Sequence, residues 1–320
     1  MKNPHTATIL LMLVFCNEMA AGFAGCGCPA NLKDPESFLS YVWDEAAKEF
    51  VEILVRDIGG NAVFEGDVIL GSTVRMRALA RAIKRSRRTG ATLDLDKFQD
   101  LINGHRNGSR PWENNIVPYS FSRSLPVAEK DAIKAGVASW ALGTGLVFND
   151  VTSENSPPTR RMIRFKRSAG STCSWNSSTG VASVRPSCVA HEIGHALGLA
   201  HEQNRNGRDQ FVVVHRQNIK KGHCAQFKEV TRVGRNVGDY DFSSIMHYRA
   251  YAFTCNNKRT ITAIPPSRIN RTNVISDGDF QAVREWHGIP PLNSGRPNYF
   301  FLSNFSFEMN NPTQQYGFEN

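Results

Sequence analysis

Apolar residues recur along the chain with more than one spacing, and the texture changes near residue 112. Phe38, Val42, Ala46, Phe50, Ile53 and Leu54 follow at three- to four-residue intervals, which predicts an N-terminal helix. Asn61 to Gly71, with glycine pairs or near-pairs around it, reads as extended chain or loop, and Asp94 to Ile102 as a short helix. From Trp112 onward strands and helices interleave. Ile116, Val117, Tyr119 and Phe121 alternate as in a strand. Pro126 opens a helix with Ile133, Val137, Trp140 and Ala141 on one face. Val147 to Val151 and Met162 to Phe165 read as further strands, and Pro186 to Leu199 as a helix ending near Gly198. A last helix is signalled by Ser276 with Asp279 three residues on, carries Phe280, Val283 and Trp286 or His287, and stops at Gly288 and Pro290. The stretch from about Leu292, rich in Asn, Pro, Phe and Gln, has no period and reads as a loosely ordered tail. No internal repeat is visible.

Composition narrows the class. The 320 residues are 41% hydrophobic, enough for a proper core. The net charge of +9 could point to a polyanion. However, Arg75, Arg77, Arg81, Lys84, Arg85, Arg87 and Arg88 crowd into one acid-free stretch without interleaved aromatics, and no nucleic-acid module is present. That run reads as a solvated helix face or a processing site. Lys2, the apolar core Ala7 to Phe15 and the small residues Ala20, Ala21 and Ala24 have the form of a signal peptide. No apolar segment is long enough to span a bilayer. Seven cysteines occur. Removing Cys16 with the signal leaves Cys26, Cys28, Cys173, Cys188, Cys224 and Cys255, an even set in a chain bound for an oxidising compartment, so disulfides are expected. Cys26 and Cys28 are too close to bridge each other without strain. Zinc binding by the later four is disfavoured, because they lack a C-x-x-C pairing.

The chemistry concentrates in His191-Glu192-Ile193-Gly194-His195-Ala196-Leu197-Gly198-Leu199-Ala200-His201. His191 and His195, one helical turn apart, leave the same face and can reach one Zn²⁺ at about 2.0–2.1 Å. Gly198 lets the chain turn sharply and bring His201 back as a third ligand. Three protein ligands leave a position for water, as in catalytic rather than structural zinc sites. Glu192 is placed to act on that water as general base. A core helix carrying histidines by chance does not account for the glycine and third histidine at these offsets.

This stretch resembles the long zinc signature of the metzincin peptidases, and Glu202-Gln203-Asn204-Arg205 narrows the resemblance to the astacin family. Ser244-Ile245-Met246-His247-Tyr248 is similar to that family's methionine turn. The resemblance implies that Met246 is an apolar floor under the zinc, and that Tyr248 is a further ligand able to swing away and stabilise the oxyanion. Phe64-Glu65-Gly66-Asp67 resembles the aspartate switch of astacin propeptides, in which Asp67 would hold the zinc's open position; in isolation, Gly-Asp is also a common turn pair.

The resemblance covers roughly Asn61 to Gly288. It implies an α+β, two-lobed metzincin domain: a lobe over about 112–201 with a twisted sheet and two long helices, and a largely irregular lobe over about 202–290 closing with one helix. The expected organisation is a signal peptide 1–24, a propeptide 25–106 cleaved near 102–106, a catalytic domain 107–290 and a tail 291–320. Arg88 and Arg106 are alternative cleavage points, and the new N-terminus would be tethered to Glu202. Cys173 and Cys188 are similar to the family's bridge near the cleft, and Cys224 with Cys255 is expected as an additional bridge. A second family bridge is missing, with Gly145 and Gly288 in its places. The implied activity is that of a secreted zinc metalloendopeptidase of the EC 3.4.24 class, with one Zn²⁺ per chain. Its partners would be peptide or protein substrates and an activating protease, with no nucleic acid. The main rival, a catalytically silent binding protein on the same fold, would show a lost Glu or ligand, and none is lost. Asn107, Asn176, Asn270 and Asn304 sit in N-glycan acceptor patterns.

Overall fold

The computed structural model describes residues 25–44, 47–99, 101, 110–153, 161–169, 172–230, 234–266, 269 and 271–291. The expected signal peptide, the cleavage region 102–106, the tail from 292, and Asn107, Asn270 and Asn304 lie outside these residues.

The N-terminal segment overturns one expectation. Phe38 and Val42 belong to β1 (Ser37–Asp44) and Phe50, Ile53 and Leu54 to β2 (Glu49–Ile58), two antiparallel strands paired Phe38↔Val55 and Val42↔Val51, while Ala46 lies outside the described residues. β1 is buried almost throughout, so the two-residue alternation that marks a half-exposed strand is missing. Its near-continuous apolar run then mimics helical spacing. β3 (Asn61–Phe64) and β4 (Val68–Ser72) continue the meander. Helix α1 (Thr73–Thr89) packs Met76, Leu79, Ala80 and Ile83 onto this sheet, against Phe38, Tyr41, Val42, Ile53 and Val55. Its basic residues Arg77, Arg81, Lys84, Arg85, Arg87 and Arg88 face solvent, as expected of a solvated helix face. The expected helix over Asp94 to Ile102 contains a 3-10 turn at Asp96–Phe98, and Phe98 and Leu101 add to the same core.

Beyond residue 112 come β5 (Ile116–Phe121), α2 (Val127–Thr144), β6 (Val147–Asp150), β7 (Ile163–Arg167), β8 (Ser174–Asn176), β9 (Val181–Val184) and α3 (Val189–Ala196). All nine strands so far form one mixed sheet in the order β1-β2-β3-β4-β8-β9-β7-β5-β6. The sheet therefore runs into the N-terminal segment instead of stopping within 112–201. The join is β4, parallel to β8 through Val68↔Trp175 and Ile69↔Asn176. α2 and α3 cover the sheet, with Trp140, Ile133, Phe165, Trp175 and Ile193 at the core. Helix α3 is shorter than the sequence spacing implied. Pro186–Cys188 is a 3-10 turn, Cys188 sits at φ −126°, and helical geometry begins only after it.

The C-terminal lobe is largely irregular, with the two-stranded β10 (Val212–Val214) and β11 (Ile261–Ala263), and closes with α4 (Asp277–Trp286). Ser276 and Asp279 form the expected capping box on α4. A third core of Val212, Ile219, Phe227, Tyr240, Tyr248 and Ile261 also takes in Leu32 from the N-terminal segment.

Candidate metal centre

Two tryptophans hold α3 in place. The Trp140 indole donates to the Ala190 carbonyl at 2.9 Å, and the Trp112 indole to Ala196, one of the orphan carbonyls at the helix end, at 3.1 Å. Gly194 faces Met246, and a Cβ there would lie 2.8 Å from its sulfur, so the glycine is what lets the methionine pack under the helix. Gly198 follows at φ +106°, a backbone conformation that favours glycine, and the chain reverses to bring His201 back.

The three imidazoles gather closely, with ring centroids 4.7–5.2 Å apart. Each Nδ1 faces an oxygen that can only accept: Ile245 carbonyl for His191 (2.9 Å), Leu199 carbonyl for His195 (2.8 Å) and the Glu65 carboxylate for His201 (3.3 Å). Each Nδ1 therefore carries a proton, and each Nε2 turns inward. They meet the Asp67 carboxylate, with Oδ2 at 3.2 Å from His191 and 3.3 Å from His201, and Oδ1 at 3.3 Å from His195. Ligand atoms of His191, His195, His201 and Asp67 all lie within 4.8 Å of one another. His195 Nε2, His201 Nε2 and Asp67 Oδ1 are buried with no hydrogen-bond partner among the described residues. Inward lone pairs facing a carboxylate call for a cation between them.

The electrostatics agree. Burial would raise Asp67, but the positive character of His201 and His195 outweighs it and holds the carboxyl well below the usual carboxylate range. Burial drives His191 down to about 4. Burial would also lower His201, yet the Asp67 and Glu65 carboxylates outweigh it and push the ring up to about 10. The site draws positive charge to that point, and a divalent ion supplies it as well as protons do.

Asp67 arrives on the β3–β4 hairpin, whose three-residue tip is Glu65-Gly66-Asp67. Glu65 had no assigned role in the sequence, but its buried carboxylate accepts from the His201 amide (3.0 Å), His201 Nδ1 and Asn204 Nδ2 (3.1 Å). Gly66, at φ +100°, passes so near Tyr248 that a Cβ would lie 2.8 Å from its hydroxyl. The Tyr248 ring lies 4.7 Å from that of His201, and its hydroxyl donates to the Glu65 carbonyl at 2.6 Å.

Glu192 is 1% exposed. Burial, then the charge of Asp67, pushes its carboxyl well above the usual range. It lies beside the Cys173–Cys188 bridge, whose sulfurs, bonded to each other, are not metal ligands. Glu202, expected to receive a new N-terminus, accepts from Arg205 and the Asp241 amide, both at 3.0 Å. Met246 is 2% exposed. Its turn is clamped by Asp279, which accepts from Ser244 Oγ at 2.6 Å and the Ile245 amide at 2.9 Å. Gln203, which lay in the Glu202–Arg205 motif without an assigned role, accepts from the Tyr248 amide at 2.9 Å, and Arg271, which had no signal in the sequence, donates to the Ile245 carbonyl at 3.1 Å.

The disulfides correct one expectation. Cys173–Cys188 forms as the resemblance implied, but Cys224 and Cys255 do not pair with each other. Cys224 bonds Cys28 and Cys255 bonds Cys26, because residues 25–32 lie along the C-terminal lobe and bring both N-terminal cysteines to it.

Residues 104–287 match the family model for astacin, peptidase family M12A. The chain belongs to the astacin family. Among its relatives is Protein SpAN of Strongylocentrotus purpuratus, 31% identical over 213 residues, which are 58% of this chain and 34% of that protein. Blastula protease 10 of Paracentrotus lividus is 35% identical over 191 residues, 54% of this chain and 31% of that one. Zinc metalloproteinase dpy-31 of Teladorsagia circumcincta is 32% identical over 248 residues, 70% of this chain and 38% of that one. The chain thus spans about a third of the length of these astacin relatives. No helix among the described residues is long and apolar enough to cross a membrane.

Proposed function

We propose that this chain is the latent form of a secreted zinc-dependent endopeptidase. The observation that carries this is the convergence of three inward Nε2 atoms, each fixed by a proton on Nδ1, upon the half-buried Asp67 carboxylate from a separate hairpin. Such a set fits Zn²⁺, with His191, His195 and His201 as its ligands and Asp67 in the place a water takes in the active enzyme. Bound zinc supplies Lewis-acid polarisation and lowers the pKa of water at that place.

The protein's own groups do the rest. Glu192 accepts the water's proton at its carboxylate and passes it to the leaving amine. Tyr248 would turn its hydroxyl from the Glu65 carbonyl to the developing oxyanion, and would be a further ligand to the metal when it is bound. Met246 is the floor that keeps the histidine helix rigid. Glu202 exchanges Arg205 for the new N-terminus after cleavage near 102–106. A peptide substrate pairs as an added strand with the β8 edge, which β4 covers in the latent form. The basic chain is compatible with a preference for acidic residues after the cut, and equal turnover of acidic and neutral peptides from a library removes that preference. Three disulfides support an oxidising, extracellular location. Metal analysis joined to peptide-library cleavage, before and after processing and release of the Asp67 hairpin, tests the whole: one zinc per chain, with full activity only after release, is expected, and no zinc or no cleavage removes it.

A further inference from the structure

Among the described residues, the links from the N-terminal segment to the two lobes lie on the N-terminal side of the expected cleavage points. Residues 25–34 run along the C-terminal lobe. There the Gly27 amide donates to Ile219 (2.9 Å) and the Cys28 amide to Arg216 (3.1 Å), while Arg216 Nη1 donates to Ala30 (2.7 Å). The Asp34 carboxylate, 2% exposed, accepts from the Gly222 and Ala225 amides at 2.9 and 3.1 Å. Leu32 is part of that lobe's core. Cys26–Cys255 and Cys28–Cys224 make this attachment covalent. On the opposite lobe β4 is hydrogen-bonded to β8. Asp67 sits between the two anchors. Hydrolysis at Arg88 or near 102–106 adds one water across one peptide bond and leaves all of these links in place.

We propose that the processed protein is a disulfide-linked two-chain molecule, in which the piece containing Asp67 stays on as a resident, self-inhibiting subunit. This rests on the latent-peptidase reading for its inhibitory part only. A short tether sets an effective concentration on the order of 1 mM. Dilution cannot remove such a piece, whereas an untethered one would leave at the nanomolar concentrations of an assay. The first cut therefore frees a new N-terminus but not the cleft. Lasting release of Asp67 needs a second cut between Cys28 and Asp67, or loss of both bridges.

The test has a covalent arm and an activity arm. Full-length zinc-loaded protein carrying Glu192→Gln, so that it does not digest itself, is nicked with limiting trypsin, and the products are identified by mass and N-terminal sequence. On a denaturing gel without reductant the two pieces are expected to run as one species, and with reductant as two. In the Cys26→Ser, Cys28→Ser, Cys224→Ser, Cys255→Ser variant they are expected to separate without reductant. If that variant fails to fold, Cys26→Ser with Cys255→Ser, or Cys28→Ser with Cys224→Ser, each keeps one bridge and must still give the linked species. With Glu192 present, the nicked four-serine protein is expected to exceed the nicked native protein at least tenfold in kcat/KM. Pieces of the nicked native chain that separate without reductant overturn the tether, and equal kcat/KM overturns the self-inhibition. Linked chains with no cleavage of peptide by either form uphold the tether and overturn the peptidase reading.

Discussion

Glu192 and Asp67 are the two carboxylates on which the proposed chemistry turns, and they make opposite predictions. Glu192→Gln preserves shape and removes the base, so processed enzyme is expected to lose about 10²–10⁴-fold in kcat/KM with its zinc content unchanged; retained activity contradicts the assignment. Asp67→Ala opens the metal to water without any cut, so the intact chain is expected to hydrolyse peptide where the unaltered chain does not. Glu65 works beside Asp67 through its three buried hydrogen bonds to His201 and Asn204. Glu65→Ala strands those donors, at a cost of roughly 1–3 kcal/mol. The intact variant is expected to show a lower melting temperature and partial activity. A variant as stable and as latent as the parent would deny Glu65 its role.

Among the elements, the methionine turn is held from three sides: by α3 through His191, by α4 through Asp279, and by the buried pair of Tyr240 and His247. His247 donates from Nδ1 to the Tyr248 carbonyl (2.6 Å) and accepts at Nε2 from the Tyr240 hydroxyl (2.8 Å). Burial, chiefly, lowers it to about 4. The sign follows: the folded protein keeps this ring neutral, while the unfolded chain binds a proton near pH 6.5. Its contribution is complete above about pH 6.5 and is lost as the pH falls to about 4, amounting to on the order of 3 kcal/mol. Urea midpoints measured from pH 7 to 4.5 should fall throughout that window, and a flat profile counts against a neutral buried His247. On α3, Gly194→Ala sets a methyl against the Met246 sulfur. A loss of about 1–3 kcal/mol is expected, together with weaker zinc retention in a chelator titration.

The molecule as a whole is tied together at the metal centre. His191 and His195 come from the sheet-bearing lobe, His201 from the chain entering the second lobe, and Asp67 from the N-terminal hairpin. A metal that binds only the folded protein stabilises it by mass action, here by on the order of 2–3 kcal/mol at a hundredfold excess over Kd. Chelation is therefore expected to lower the melting temperature by roughly 5–10 °C, and zinc should restore it. Unchanged melting on chelation would remove the metal from the structural account. The nine-stranded sheet and the two long-range disulfides add to this unity, since both join the N-terminal segment to the rest.

The three-histidine cluster was legible in the chain because it is local. His191, Glu192, His195, Gly198 and His201 lie within eleven residues, and helix geometry with one sharp turn is enough to bring them together. The α2 and α4 helices were legible for the same reason, since a proline start or a serine–aspartate cap is written in neighbouring residues. The β1–β2 hairpin was not, because burial on both faces erases the alternation that marks a strand. Glu65, Gln203, Asp279 and Arg271 were silent as site residues because each acts on atoms from 26 to 139 positions away. The disulfides show the same limit most plainly. An even set of cysteines implied bridges, but which sulfurs meet depends on where residues 25–34 dock, a matter of packing between segments about 200 residues apart. Residue order alone determined the clustering of the three histidines and the short-range elements; only the tertiary structure decided that the N-terminal segment extends the sheet, reaches the histidine cluster through Asp67 and is bonded to the far lobe, because those contacts have no local signature.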